Sequence, residues 1–496
     1  MSVSIEMTST SRPEVPDDDI YYDDSGDNAM VMRPGSSTSR RRFRAWYLVP
    51  LVVVLVLLGS VIFSKKQSSS PASSKKSPEE KEGDDEDNEP FDPNAALTPW
   101  EQVGSTMFGV KGSSGIGYGY KLSLSAEANR LAISGPSEDR LGVVDVYVWD
   151  LPTGDWMLED TVTPPPGARV EDSYTKLHND VAMSGDAGRM ALSGGEQVAA
   201  YYKAASAFGG GWQQMGDKIA PFVDDGTHFG KKVVLSENGK TLLVLGELEE
   251  KAVVQIYVEN QQVTSTDVSY TWDLYEEIAM HKSAADMAVS ADGRRIAVGM
   301  PTAPHPHFVA AIAGIIQVYE RNDEIGKYDP LGVPIPGVAD GEHFGGCVAM
   351  SDSGDIVVGG TSDGLGGIVR MWSLLQEPEQ DPEWRQHGQT LYGEKFERFG
   401  SSVDLNKAGD IMAVGGIGWE GGDDEYLMGR AKIFKFNKVH NAWSGIGLVM
   451  STNIGDSLGA AVDLSYDGFT VAVSSPQRVI GGEINVGAVE VFRRPA

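Results

Sequence analysis

Cysteine is almost missing from this 496-residue chain: Cys347 is the only one. No intramolecular disulfide can form. That fits a reducing compartment, or a domain large enough to hold together without cross-links. No Asn-x-Ser/Thr acceptor sequence occurs either. Basic residues are few beside acidic ones, 41 Lys and Arg against 71 Asp and Glu, for a formal net charge of −30. Phosphate backbones are bound by clustered cations, so this balance argues against nucleic acid as a partner. It favours cationic partners or plain solubility. P-loop and HExxH sequences are absent.

What is present divides the chain into four parts. Residues 1–44 are polar, with an acidic stretch from Asp17 to Asp24 around Tyr21 and Tyr22. Such a segment buries too little apolar surface to fold, and a disordered tail is expected. Its acidic tyrosines read as a solvated face, or as a phosphorylation or trafficking signal. Residues 45–63 then run 19 positions without a charge. As a helix this run spans about 28 Å, close to the ~30 Å hydrocarbon core of a bilayer. Trp46 and Tyr47 stand where an interfacial aromatic belt forms, and Pro50 lies near the start, where it disturbs a helix least. The run begins too far into the chain for a cleaved signal peptide, and no small-x-small cleavage pattern follows it. One transmembrane helix over 45–64, an uncleaved signal anchor, is expected. Arg40, Arg41, Arg42 and Arg44 crowd its N-terminal flank, against Lys65, Lys66, Lys75 and Lys76 beyond it. This bias places the N-terminus in the cytoplasm and the C-terminal bulk outside the cell or in a lumen. Residues 65–97 are rich in Ser, Pro and Lys, then acidic from Glu79 to Glu89, the composition of a linker or stalk.

From residue 98 the sequence repeats itself seven times. The unit at 399 reads Phe399-Gly400, then the strand Val403-Asp404-Leu405, then Gly409 and a second strand Ile411 to Val414. The same anchor falls at Tyr118-Gly119, Leu177-His178, Phe229-Gly230, Ser283-Ala284, Phe344-Gly345 and Leu458-Gly459. Anchor spacings are 59, 52, 54, 61, 55 and 59 residues. Turn signals Asn238-Gly239, Asp292-Gly293 and Asp467-Gly468 separate the first two strands. A third strand alternates into an aromatic, as from Ile315 to Tyr319. A fourth carries Trp156, Trp212, Trp272, Tyr328, Trp384 or Trp443, with glycine four residues on in four of the six (Gly216, Gly332, Gly388, Gly447). Unit seven stops after its third strand, yet Trp100 to Gly104, ahead of unit one, has the fourth-strand pattern. The N-terminal strand is therefore expected to complete the last blade. Closing a ring in this way removes a free sheet edge and distinguishes a propeller from an open solenoid. The expected fold is all-β: a seven-bladed propeller over 98–496, preceded by one transmembrane helix.

The anchors, with Ser134-Gly135-Pro136, Gly299-Met300-Pro301 and Ser474-Ser475-Pro476 after second strands, resemble FG-GAP-type repeats, the blades of integrin-α-like propellers. The resemblance covers roughly 98–496. It implies binding and adhesion more than catalysis. In the integrin branch some blades carry an Asp-rich calcium loop between strands one and two. Here Ser236 to Gly239 and Ser290 to Gly293 lack the ladder of alternate acidic residues. Calcium is therefore not supported by the loops, and no cofactor is expected.

Candidate ligand-face residues come from acidic connections that emerge on one face of such a ring: Glu171, Asp172, Asp224, Asp225, Asp340 and Glu342 between blades, and Asp423, Asp424 and Glu425 between strands two and three. Residues 1–98 hold 11 basic and 17 acidic residues, which leaves −24 on 99–496. A negative face for a basic or cation-bridged ligand and a set of ordinary solvated loops are both consistent with this. The fourth-strand tryptophans read as packing elements rather than sugar platforms. His305 and His307 form the only close histidine pair, two ligands where a zinc site takes three or four. Lys121, Asp180, Lys232 and Asp286 share one innermost-strand position with alternating sign, and are expected to pair around a central channel. Asp404 and Asp463, also on innermost strands, are the one hint of a paired-carboxylate site. The leading functional reading is a membrane-anchored binding, adhesion or scaffold module that presents loops to a protein, glycan or matrix ligand. A glycan-acting enzyme on a propeller scaffold and a lumenal trafficking receptor are the alternatives.

Overall fold

Each repeat becomes one four-stranded antiparallel blade, and the reason lies in its second strand. Leu131–Ile133, Met190–Leu192, Leu242–Leu245, Ile296–Val298 and Val471–Val473 are wholly buried. A strand packed on both faces reads as a continuous apolar run, where a one-sided sheet would alternate. In blade six the strands are Phe399–Leu405, Ile411–Gly416, Arg430–Asn437 and Ala442–Met450, paired in that order from the axis outward. The computed structural model describes residues 97–109, 117–135, 142–163, 180–194, 197–204, 210–220, 228–247, 251–263, 268–307, 311–362, 366–419, 428–483 and 485–495. The expected tail (1–44), transmembrane segment (45–64) and all but the last residue of the stalk (65–97) lie outside them. Among the described residues no helix is long and apolar enough to cross a membrane.

Seven such sheets form, including blades two and four, whose anchors lack the Phe-Gly pair. The seventh is built as its split sequence requires. Val462–Leu464, Thr470–Ser475 and Ala488–Arg493 take Glu101–Gln102 as their outer strand, with Glu101 opposite Arg493 and Gln102 opposite Phe492. Met107–Phe108 pairs further along the same strand, at Val489 and Ala488. Buried apolar residues gather into seven clusters, one at each seam between blades. Where blade seven meets blade one, Ala472, Val489 and Val491 pack on Leu122, Leu124 and Ile133.

The hairpin between the first two strands is the same in every blade. Five residues separate the strands each time, as between Leu124 and Arg130 or Leu464 and Thr470. The first of the five turns its side chain back on the hairpin. Ser125, Ser184, Ser236, Ser290, Ser351 and Ser465 accept through Oγ, and Asn406 through Oδ1, from the backbone N–H five residues on, at 2.9–3.1 Å. That bond satisfies an amide the turn would otherwise leave open. Neighbouring hairpins then bond to each other. The N–H groups of Ala126, Gly185, Asn238, Ala291, Asp352, Lys407 and Tyr466 donate to carbonyls of Gly185, Glu237, Ala291, Asp352, Lys407, Tyr466 and Ala126. This circle of backbone bonds, 2.8–3.3 Å long, closes on itself around one mouth of the axis.

The fourth-strand aromatics form a belt around the outside. Trp156, Trp384 and Trp100 each donate Nε1–H to a backbone carbonyl of the preceding blade, Val103 (3.2 Å), Leu331 (2.9 Å) and Ile446 (3.4 Å). Four of the glycines that stand four residues past an aromatic, Gly104, Gly332, Gly388 and Gly447, make room for the next blade's ring. A Cβ on Gly447 would stand 2.2 Å from Trp100 Nε1, and one on Gly388 3.1 Å from Trp443 Cδ1. Gly447→Ala is therefore expected to destabilise the chain by about 1–3 kcal/mol, the range for forcing an extra carbon into a packed site. A urea midpoint unmoved by this substitution would mean that Trp100 does not sit on Gly447.

Candidate functional site

The seven innermost strands surround an axial cavity of about 360 Å³. Alternate residues of each strand line it, so the repeat stacks rings of side chains along the axis. One ring is Lys121, Asp180, Lys232, Asp286, Cys347, Ser402 and Ala461. Two residues on, Ser123, Ala182, Val234, Ala288, Ala349, Asp404 and Asp463 form the next. The hairpin mouth carries Ala126, Glu237, Ala291, Asp352, Lys407 and Tyr466.

An innermost strand has one open edge, and five side chains of these rings close that edge on the next blade. Asp180 Oδ2 accepts from Val233 N–H (2.8 Å), Asp286 Oδ2 from Val348 N–H (2.8 Å), Asp404 Oδ2 from Leu464 N–H (2.7 Å), Asp463 Oδ2 from Leu124 N–H (2.8 Å), and Ser123 Oγ from Met183 N–H (3.0 Å). The expected alternation of charge is realised in part. Lys232 pairs with Asp286 at 3.1 Å. Burial alone would lower Lys232, but Asp286 and Asp180 outweigh it and hold the ammonium above the ordinary lysine range. Lys121 makes no ion pair among the described residues. The Lys232 charge, then burial, press it below that range, against Asp180 and Asp286. Asp180 accepts from a backbone amide and forms no ion pair with Lys121 among the described residues. The Cys347 thiol is buried, which raises it, and it donates to Gly400 O at 3.0 Å.

Asp404 and Asp463, from adjacent blades, lie within hydrogen-bonding reach of one another. Burial pushes Asp404 up to about 6. Burial, then the Asp404 charge, carries Asp463 well above the carboxylate range. Glu237 is raised to about 7 by burial, then by Asp352, Asp404 and Asp186. Lys407 lies 4.1 Å above the Tyr466 ring. A carboxyl pair that cleaves glycosidic bonds is separated by ~5–9.5 Å. These two lie closer than that, within hydrogen-bonding reach, and each is tied to a neighbouring blade's backbone.

Of the acidic residues expected on the ligand face, Glu171, Asp172, Asp224, Asp225, Asp423, Asp424 and Glu425 lie outside the described residues. Asp340 is exposed and accepts from Ile312 N–H at 2.8 Å. Glu342 is turned inward. It forms an ion pair with Arg370, both side chains under 10% exposed, and accepts from Val338 and Ala339 N–H. The same device recurs at Glu397 with Arg430 and Lys432 (2.7 and 3.0 Å), and at Asp456 with Arg478 (2.9 Å). Each acid stands two residues before an anchor, and the residue between is left-handed: His343, Arg398 and Ser457, at φ 56°, 53° and 53°. The signal is acid-x-apolar-Gly, present in the sequence, where only Glu342 is singled out, and as part of a surface loop. His305 and His307 stack edge to face at 5.9 Å, and among the described residues no group of three or more His, Cys, Asp or Glu is placed to hold a metal ion.

No family model and no curated protein matches the chain. Solved structures do resemble it. U3-55K is 11% identical, covering 79% of this chain and 99% of that one, with a TM-score of 0.45. A Bacteroides fragilis protein provisionally named 6-phosphogluconolactonase is 12% identical over 75% of this chain and 99% of that one, TM-score 0.44. Hydrazine synthase from Kuenenia stuttgartiensis is 11% identical over 82% and 99%, TM-score 0.42. None of these likenesses bears on function.

Proposed function

We propose that this chain is a membrane-anchored binding module of the FG-GAP-type propeller class, which presents the loops of one rigid face to a protein, glycan or matrix ligand. The observation that carries this reading is the asymmetry between the two faces. On the hairpin face every first connection is five residues long and bonded to its neighbours. On the opposite face the connections range from two residues (Gly194 to Gln197) to eighteen (Val162 to Val181). The connections between third and fourth strands, at the hairpin end, run only from four to eight residues, so the wider variation falls on the opposite face, where recognition is carried on this reading. By sequence, the acidic residues Glu171, Asp172, Asp224, Asp225, Asp340, Asp423, Asp424 and Glu425 fall in connections of that set, and on this reading they favour a ligand with cationic groups. Residues 45–64 supply the anchor, with the N-terminus cytoplasmic and the propeller extracellular or lumenal.

Two measurements test this. With an epitope tag after Ala496, external protease is expected to digest the tag on intact cells, or to reach it only once internal vesicles are opened. Digestion on opening the plasma membrane alone would contradict the orientation. Full-length chains with residues 164–178 and 420–427 replaced by Gly-Ser linkers are then compared with the native chain on arrays of glycans and matrix proteins. Loss of binding at an unchanged melting temperature is the expected result. Binding that survives both replacements would place recognition elsewhere.

A further inference from the structure

The carboxyl pair in the channel sits where the ring is closed, and its position is independent of what the propeller binds. Asp404 belongs to blade six and accepts from Leu464 of blade seven. Asp463 belongs to blade seven and accepts from Leu124 of blade one. Two consecutive seams, one of them the junction between the first and last blades of the sequence, are thus stitched by two acids that touch. Because each Oδ2 is held by a backbone amide, the two carboxyls cannot swing apart without releasing those amides. Two carboxylates at hydrogen-bonding distance repel, and a proton between them removes the repulsion.

We propose that Asp404 and Asp463 form a proton-closed clasp: with a proton shared between them, the innermost strands of blades six, seven and one are locked together, and its loss loosens that part of the ring.

The cations facing the pair are each engaged elsewhere, although the Lys232 charge still draws Asp404 down in part. From blade three, Lys232 points in but is engaged by Asp286 of blade four. Lys121 of blade one lies over Tyr120 at 5.7 Å, and Lys407, on the same hairpin as Asp404, over Tyr466 of blade seven. Among the described residues no ion pair reaches either acid. The remaining neighbours add negative charge or none: Asp180 of blade two, Glu237 of blade three, Cys347 and Asp352 of blade five. Both acids, and Glu237 beside them, are raised by burial. A carboxyl raised on folding lends stability that is present in acid and lost as pH climbs through its folded value. For Asp404 that window opens near its ordinary value of 3.8 and passes through about 6. The ring is therefore tightest in acidic surroundings and loosest above neutrality.

Hydrogen exchange on the full chain in detergent micelles tests the clasp, with rates at pH 5 and pH 8 corrected for intrinsic exchange. Each unit of pKa shift corresponds to a factor of about ten in an equilibrium, so protection of the Leu124 and Leu464 amides is expected to fall at least about tenfold at pH 8. The Val348 amide is an internal control. It is held the same way by Asp286, whose charge Lys232 matches, and should lose no comparable protection. In Asp463→Asn the side chain can still accept from Leu124 but cannot ionise, and the pH dependence at both amides should vanish. If that variant does not fold, Asp404→Asn serves the same purpose, and the native comparison decides by itself. Equal pH dependence at Leu124, Leu464 and Val348, or a dependence that survives in the asparagine variant, would overturn the clasp.

Discussion

Deleting residues 98–106 from the full chain is expected to lower the melting temperature of the propeller by about 10 °C or more. The deletion removes only nine residues, but they hold the seventh blade's outer strand. Trp100 is 5% exposed and packs in one cluster with Ile411, Ala413, Ile433, Val449, Val462 and Val471. Losing a buried tryptophan from such a site costs about 3–5 kcal/mol. The deletion also takes away Val103, whose N–H donates to Val491 O (2.8 Å) and whose carbonyl accepts from Trp156. Blade seven is left with an open edge, and blade one with an unpaired indole. A loss near 5 kcal/mol converts to roughly 10 °C at ~2–4 °C per kcal/mol. Calorimetry on the intact and shortened chains checks this, and equal melting temperatures would contradict the closure.

Replacing Glu397 by alanine should have an effect of similar size, for a different reason. This carboxylate is fully buried and accepts from Arg430 Nε (2.7 Å) and the Glu394 N–H (2.6 Å), with Lys432 Nζ at 3.0 Å. Burial raises Glu397, but Arg430 and Lys432 outweigh it and hold the acid below the usual carboxylate range. Its stabilisation is therefore present at neutral pH and lost as pH falls through that lowered value. Removing the acid strands Lys432 and leaves Arg430 only its exposed partner Glu394 (2.5 Å), a loss of a buried partner that costs about 3–5 kcal/mol, whereas an exposed pair contributes ~0–1 kcal/mol. Glu383, paired with Arg385 on the surface, is the control. Urea midpoints should fall sharply for Glu397→Ala and barely for Glu383→Ala. Similar midpoints for the two would show that Glu397 does not hold its seam. Adding Lys432→Met to Glu397→Ala should recover part of the loss, since one stranded charge is then gone.

The ring was legible in the sequence because a propeller repeats its packing constraints. Trp443 and Trp384 recur once per blade because each fills the same gap, and Gly388 and Gly447 recur because the next ring rests on them. The split of blade seven could be read because Trp100 and Gly104 keep a spacing that has no purpose outside a fourth strand. Glu342 was harder. Its neighbours Asp340 and Gly341 have a loop's composition, and only its distance from Phe344, shared with Glu397 and Asp456 at their own anchors, marks it as part of the seam. The channel was legible in part. Lys232 and Asp286 pair as their signs suggest. Asp180 and Lys121 form no such pair; Asp180 instead accepts an amide at the open strand edge, a contact that sequence periodicity cannot show. The contact between Asp404 and Asp463 was visible only as two acids at one repeat position. That consecutive blades bring them together follows from the packing of innermost strands around the axis, which no single repeat contains.

The most direct test of the closed ring is a cross-link between its two ends. Glu101 and Arg493 are opposed in the last blade, and residues opposed in an antiparallel pair have Cα atoms ~4.5–5.5 Å apart, within reach of a disulfide. The full chain carrying Glu101→Cys and Arg493→Cys is oxidised at high dilution, digested, and analysed by mass spectrometry. A linked peptide containing both positions from a single chain is the expected result, with Cys347 remaining buried and unlinked. Free thiols at both positions, or links formed only between two chains, would show that the ends do not meet and that the seventh blade is not shared between them.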